Sequence, residues 1–172
     1  MTSLDSKMKE IKLVIFDVDG VLTDNTVFIG PAGAEFKRFS IADGLGIHIA
    51  RKHGVQIAFL SGRPSSATEI RAAELGITDI VQEPVDKLKF YNQLKSKYEL
   101  TDDRIAFMGN DLVDLGVMNK CGLPAAVPDS PPEVLKAAAY VSKKHGGFGA
   151  AREFLDAILE AKGINAEQKL AR

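Results

Sequence analysis

The sequence predicts an α/β protein: a parallel sheet with helices on both faces. Three observations predict it. Short apolar runs alternate with helical patterns along most of the 172 residues. The runs lack polar alternation, as strands covered on both faces do. Chemically unusual residues directly follow three of the runs, where open α/β sheets bind their ligands.

The first run, Ile11 to Phe16, ends at Asp17. Val27–Ile29 and Glu35–Phe39 flank the turn GPAGA and read as a protruding β-hairpin over about residues 26–39. A helix starts near Asp43 and stops before Gly54. Gln56–Leu60 is a strand closing on Ser61-Gly62-Arg63. Pro64 suits a first helical turn, and that helix runs towards Leu75-Gly76. Thr78–Val81 is a brief strand, and Lys87 to Lys97 carries helical spacing at Leu88, Tyr91 and Leu94. Ile105–Met108 is a strand ending at Gly109-Asn110-Asp111, followed by a helix to Cys121. Strand Leu123–Val127, helix Pro131 to Ala139, strand Tyr140–Val141 and helix Gly149 to Lys162 complete the order. The tail after Gly163 reads as loosely ordered. One domain over 1–172 follows, with no segment long enough for a separate cap.

Composition narrows the function classes. Lys plus Arg total 22 and Asp plus Glu 23, a formal net charge of -1, which gives no support to a nucleic-acid or membrane-surface role. An anionic substrate must therefore be held by a few placed cations. The single Cys121 cannot form an internal disulfide, which suits a reducing cytoplasm. The N-terminal MTSLDSKMKE lacks the apolar core of a signal peptide, and no apolar run spans a bilayer.

Asp17 and Asp19 stand two residues apart beyond an apolar strand, with Gly20 turning the chain at once. Neighbouring carboxylates repel unless one is protonated or a cation lies between them. Hard oxygen ligands without a cysteine or histidine cluster favour magnesium. A carboxylate can also attack phosphorus and form an aspartyl phosphate. An isolated DxD is usually a turn or a helix cap; the full string DVDGVLTD after a strand is far more specific. Ser61 alone reads as a cap, Lys87 alone as a surface lysine, and Asp114 alone as a solvent-facing helical residue. Their joint order and placement at strand ends sets them apart.

These residues resemble the four motifs of the haloacid dehalogenase-like superfamily of phosphatases: Asp17 to Asp24, Ser61, Lys87 in VDKLKF, and GNDLVD at residues 109 to 114. FKRFSIADGLGI and GGFGAAREFLDAIL are similar to its small capless branch, which includes 3-deoxy-D-manno-octulosonate 8-phosphate (KDO 8-phosphate) phosphatases of lipopolysaccharide biosynthesis. The resemblance implies a Rossmann-like fold and a magnesium-dependent, cytoplasmic phosphomonoesterase acting on a sugar-acid phosphate. The first choice is KDO 8-phosphate. A nonulosonate 9-phosphate phosphatase, or a weakened homologue used as a binding or oligomerisation module, is the alternative. It further implies a homotetramer in which hairpins pack together.

Roles carry over by position. Asp17 would attack phosphorus. Asp19 would protonate the leaving oxygen and then activate water, while its carbonyl binds magnesium. Ser61 and nearby N–H groups, with Gly62, would hold the phosphoryl group, and Lys87 would pair with both Asp17 and phosphate. Asn110 stands where the branch generally has an aspartate. Either Asn110 ligates magnesium with Asp111 behind it, or Asp111 takes over; strand register favours the first. Ser40, Asp43, Gly44, Arg63 and Arg71 match substrate-lining positions. Ala42 and His48 stand where the branch usually has arginines. Arg152 would reach a neighbouring subunit or pair within its own helix.

Overall fold

The fold is taken from a computed structural model, which describes residues 3–83 and 86–170. Eight strands and eight helices follow in chain order. The strands are β1 (Leu13–Phe16), β2 (Phe28–Ile29), β3 (Glu35–Phe36), β4 (Gln56–Ser61), β5 (Ile80–Gln82), β6 (Ile105–Gly109), β7 (Leu123–Ala126) and β8 (Tyr140–Val141). The helices are α1 (Ser3–Glu10), α2 (Ile41–Lys52), α3 (Ser66–Glu74), α4 (Lys87–Lys97), α5 (Leu115–Met118), α6 (Pro132–Ala137), α7 (Ala150–Ala161) and α8 (Ala166–Leu170). Six strands form one parallel sheet in the order β5-β4-β1-β6-β7-β8, and β2 pairs with β3 as an antiparallel hairpin.

The apolar first run explains the centre of this sheet. Side chains alternate across a strand, so Leu13 and Ile15 face one layer and Val14 and Phe16 the other. Val14 and Phe16 join Ile57, Phe59 and Met108 under α2 and α7, where Ile47, Phe154 and Ile158 pack. Leu13 and Ile15 join Leu60 and Phe107 under Tyr91 and Leu94 of α4 and Val117 of α5. β1 lies between β4 and β6, with Phe16 level with Phe59 and Met108. The chain leaves β1 towards β4 and later returns on the other side through β6. This reversal opens a crevice above β1, and Asp17, Ser61 and Asn110 follow at its rim.

The fold class matches the expected one, with several local differences. The hairpin strands have only two residues each. α3 starts at Ser66 rather than Pro64, because the Ser65 hydroxyl accepts the Thr68 N–H and sets the cap there. The helix expected after Gly109 is a 3₁₀ turn at Leu112–Asp114 followed by the short α5. Beyond Gly163 the chain forms α8, opened by reciprocal bonds between Asn165 and Gln168 and tied by Lys169 to Asp156 and Glu160. α1 has no counterpart in the sequence reading. It is polar, buries only Met8, and is held from outside by Arg104 on Glu10 and by Lys162 Nζ donating to the Lys9 carbonyl. No helix among the described residues is long and apolar enough to cross a membrane.

Candidate active site

The turn after β1 is a tight knot of backbone bonds. The Val18 carbonyl accepts from the N–H groups of Val21, Leu22 and Thr23 at 3.3, 3.0 and 3.1 Å. Thr23 Oγ1 accepts from the Gly20 N–H at 3.3 Å. Gly20 has φ +93, and a Cβ there would lie 2.2 Å from the Asn110 side chain, so only glycine fits. Behind the turn stand Gly146 and Gly147. A Cβ on Gly146 would lie 1.9 Å from the Gly20 carbonyl, and the Gly147 N–H donates to Val21 at 3.0 Å. The far end of the chain braces the turn that carries Asp17 and Asp19.

Asp17 is buried, and its Oδ1 accepts from Lys87 Nζ at 2.9 Å. Lys87, at the start of α4, also donates to Asp114 Oδ1 at 2.6 Å. Asp114 is fully buried, and its Oδ2 accepts the N–H groups of Asn110 and Asp111 at 2.8 and 3.1 Å. Two carboxylates thus share one buried ammonium. Burial first, and then the Asp114 charge, push the Asp17 carboxyl up to about 7, against the pull of Lys87. Burial works against the Lys87 charge, but Asp17 and Asp114 outweigh it and hold the ammonium above its ordinary range.

Among the described residues no three His, Cys, Asp or Glu side chains gather to hold a metal. Oxygen of other kinds does gather. The Asn110 side-chain oxygen lies 3.0 Å from both the Asp19 carbonyl and Asp17 Oδ2. In an octahedron with metal–oxygen bonds of about 2.1 Å, adjacent ligand oxygens stand about 3.0 Å apart. An amide oxygen with two other oxygens 3.0 Å away and no donor between them fits a hard cation such as magnesium. The same amide turned over would offer its NH₂ to both oxygens at the same distance. Asp111 is directed elsewhere: its Oδ1 accepts the Leu112 N–H at 2.7 Å on the exposed rim.

Ser61 ends β4, with its hydroxyl on the Arg63 carbonyl at 3.1 Å, and open space lies beside Gly62. Arg63 donates from Nε to Asp19 Oδ2 at 3.2 Å and from Nη1 to Glu35 at 2.7 Å, while its Nη2 is buried without a partner. A cleft of about 250 Å³ brings together Asp17, Asp19, Ser61, Gly62, Arg63, Lys87, Asn110 and Asp111. Beyond Asn25 and Asn110 it continues into a second cleft of about 330 Å³ bounded by Asp129, His145 and Phe148.

Four predicted substrate residues are not brought to this cleft. Ser40 caps α2 through the Asp43 N–H, and its carbonyl accepts from Arg71. Asp43 is buried and accepts the Gly149 and Arg152 N–H groups at 3.2 and 2.8 Å, capping α7 from α2. Gly44 gives room to Arg71, whose Nη2 would stand 2.2 Å from a Cβ there. Arg71 also pairs with Glu74. These four lock α2 to α3 and α7. Arg152 pairs with Asp156 one turn along its own helix. Ala42 and His48 lie on the exposed side of α2.

Sequence reading missed Glu35 and Lys37. From the hairpin they meet two residues of the cleft: Lys37 Nζ stands 2.8 Å from Asp19 Oδ1, and Glu35 Oε2 stands 2.7 Å from Arg63 Nη1.

Residues 57–154 match the family of haloacid dehalogenase-like hydrolases. The chain belongs to that family. It is 40% identical over 164 residues to the 3-deoxy-D-manno-octulosonate 8-phosphate phosphatase of Escherichia coli K12, covering 95% of this chain and 87% of the relative. The corresponding phosphatase of Moraxella catarrhalis, solved with magnesium, phosphate and KDO, superposes with a TM-score of 0.92 at 36% identity, covering 95% of this chain and 94% of that one. The Yersinia pestis phosphatase superposes with a TM-score of 0.91 at 38% identity, over 93% and 86%. The chain carries one α/β unit and no cap among its described residues.

Proposed function

We propose that the chain is a magnesium-dependent phosphomonoesterase that hydrolyses KDO 8-phosphate to KDO and phosphate through an aspartyl phosphate on Asp17. The observation that carries this reading is the trio of oxygens from Asp17, Asp19 and Asn110 beside the Lys87 ammonium. The substrate follows from relatives of that activity at 40% identity across 95% of the chain.

Asp17 Oδ2, the Asp19 carbonyl and Asn110 would hold magnesium, which neutralises charge on the phosphoryl oxygens when bound. Asp17 attacks phosphorus, and the bond to the sugar oxygen breaks as that oxygen takes a proton from Asp19. Ser61, the Gly62 backbone and Lys87 meet the charge on the transferring group. Asp19 then takes a proton from water as the water attacks the phosphoenzyme, releasing phosphate and restoring Asp17. Arg63, which lines the cleft and keeps one nitrogen without a partner, is a cation for the substrate's anionic groups. The adjoining cleft offers room for the sugar.

A nonulosonate 9-phosphate is the second reading, favoured by the absence of cations at Ala42 and His48. A homotetramer in the cytoplasm belongs to the same proposal. Phe28, Ile29 and Phe36 of the hairpin, with Ile41 and Ile70 nearby, are exposed apolar surface of the kind subunits cover. A phosphate-release screen tests the substrate: faster turnover of KDO 8-phosphate than of nonulosonate 9-phosphates supports the first reading. No magnesium-dependent release from any sugar phosphate sinks both. A chromatographic mass near that of one chain would remove the tetramer.

A further inference from the structure

Four charged side chains form a ring beside the cleft, which two of them, Asp19 and Arg63, also line. Lys37 Nζ lies 2.8 Å from Asp19 Oδ1 and 3.8 Å from Glu35 Oε1. Arg63 lies 3.2 Å from Asp19 Oδ2 and 2.7 Å from Glu35 Oε2. Signs alternate around the ring, two anions against two cations. Glu35 and Lys37 come from the hairpin, whereas Asp19 follows β1 and Arg63 follows β4. The hairpin members are further anchored to α3 and its cap: Ser65 Oγ donates to Glu35 at 2.6 Å, and Lys37 donates to Thr68 Oγ1 at 3.2 Å. The Lys37 side chain is fully buried. A buried ammonium survives only where anions and acceptors surround it.

The consequence lies in Asp19. Its carboxylate is free to swing about its own side-chain bonds, and neither carboxylate oxygen is held by the turn. Arg63 donates a hydrogen bond to one oxygen, and Lys37 stands 2.8 Å from the other as an ion pair without hydrogen-bond alignment, so the two charges set the aim of the carboxylate. A proton donor misplaced by about 1 Å can lose about 10²-fold. We propose that Lys37 is a positioning residue, through which the hairpin sets the orientation of the Asp19 carboxylate for reaction at the leaving oxygen. This rests on the phosphatase reading above. It makes the hairpin, whose outer face offers phenylalanines to a partner, part of the catalytic frame on its inner face.

The test separates orientation of Asp19 from general damage. A primary alkyl phosphate, such as a sugar phosphate, needs a proton delivered to its leaving oxygen; p-nitrophenyl phosphate does not. kcat/KM reports the steps up to departure of that group. Lys37→Met should lower kcat/KM for the alkyl phosphate by about tenfold or more, within the range ascribed to a positioned acid, and move p-nitrophenyl phosphate by less than about threefold. Lys37→Arg should recover most of the alkyl activity. Glu35→Gln, which opens the ring from its other side, should show the same selective loss in smaller measure, and it carries the test if Lys37→Met does not fold. Equal losses on both substrates, or none on either, would overturn the proposal. Absence of turnover by the unsubstituted protein would instead remove the phosphatase reading.

Discussion

Asp114 and Lys87 meet at 2.6 Å with the carboxylate wholly out of solvent, and the same Asp114 receives two backbone N–H groups from the loop that carries Asn110. This carboxylate joins α4 to the end of β6. It therefore links the cation beside Asp17 to the amide of the proposed metal site.

Breaking that link should cost stability as well as rate. Asp114→Ala leaves Lys87 with one anion and two N–H groups without an acceptor. Loss of one partner of a buried pair costs about 3–5 kcal/mol. Urea unfolding should show a fall of that order, and magnesium-dependent phosphatase activity should fall with it. A change under about 1 kcal/mol would mean that water replaces the carboxylate.

Asp17→Asn should abolish turnover of p-nitrophenyl phosphate while the protein stays folded, because an amide cannot attack phosphorus. Circular dichroism checks the fold and a phosphate assay the chemistry. Activity at more than background would place the nucleophile elsewhere.

Asn110→Asp adds a formal charge where a neutral amide now stands. Magnesium should bind more tightly, on the order of tenfold, or ~1.4 kcal/mol. Without the metal, the added carboxylate faces Asp17 and the Asp19 carbonyl, so the metal-free variant should melt below the parent. Calorimetric titration and melting with and without magnesium read both effects. Weaker magnesium binding in the variant would refute the assignment of Asn110 as a ligand.

Asp43 gives a pH dependence with a definite sign. Burial holds its carboxyl above the ordinary 3.8, although N–H groups of Arg152 and Gly149 pull the other way. The folded protein therefore keeps the Asp43 proton more firmly than the unfolded chain does. That contribution to stability is present at acid pH and declines as pH rises from the ordinary carboxylate value through the raised one. Asp43→Asn removes this decline and also one of two acceptors at the start of α7, costing about 1–3 kcal/mol. Urea unfolding across that pH range should show a shallower fall in the variant, and parallel curves would exclude the effect.

Much of the fold was legible because it rests on period and punctuation. The unbroken apolar run before Asp17 marks a central strand, and Tyr140–Val141 and Lys87 to Lys97 coincide with β8 and α4. Asp17, Asp19, Ser61, Lys87 and Asn110 were legible because each directly follows or precedes an element whose end could be read. α1 was not, since its stability comes from contacts to α7, Arg104 and Lys162 rather than from an apolar stripe. Asp43 was read by resemblance as a substrate-lining residue, whereas in the fold its oxygens accept N–H groups more than a hundred residues away. Local sequence carries no trace of that partner. Lys37 was hidden likewise, because its ion pair crosses from the hairpin to the β1 turn.

The brace formed by Gly146 and Gly147 sets an order in the making of the protein. Ribosomes deliver Asp17 early and this glycine pair late, after β7 and β8. Until the pair emerges, nothing presses on the Gly20 carbonyl, and the Val21 carbonyl lacks its donor. A nascent chain stopped before residue 146 therefore holds every residue proposed to act on phosphate and yet has a slack turn beneath them. The support of the turn is thus complete only once residues 146 and 147 have been made.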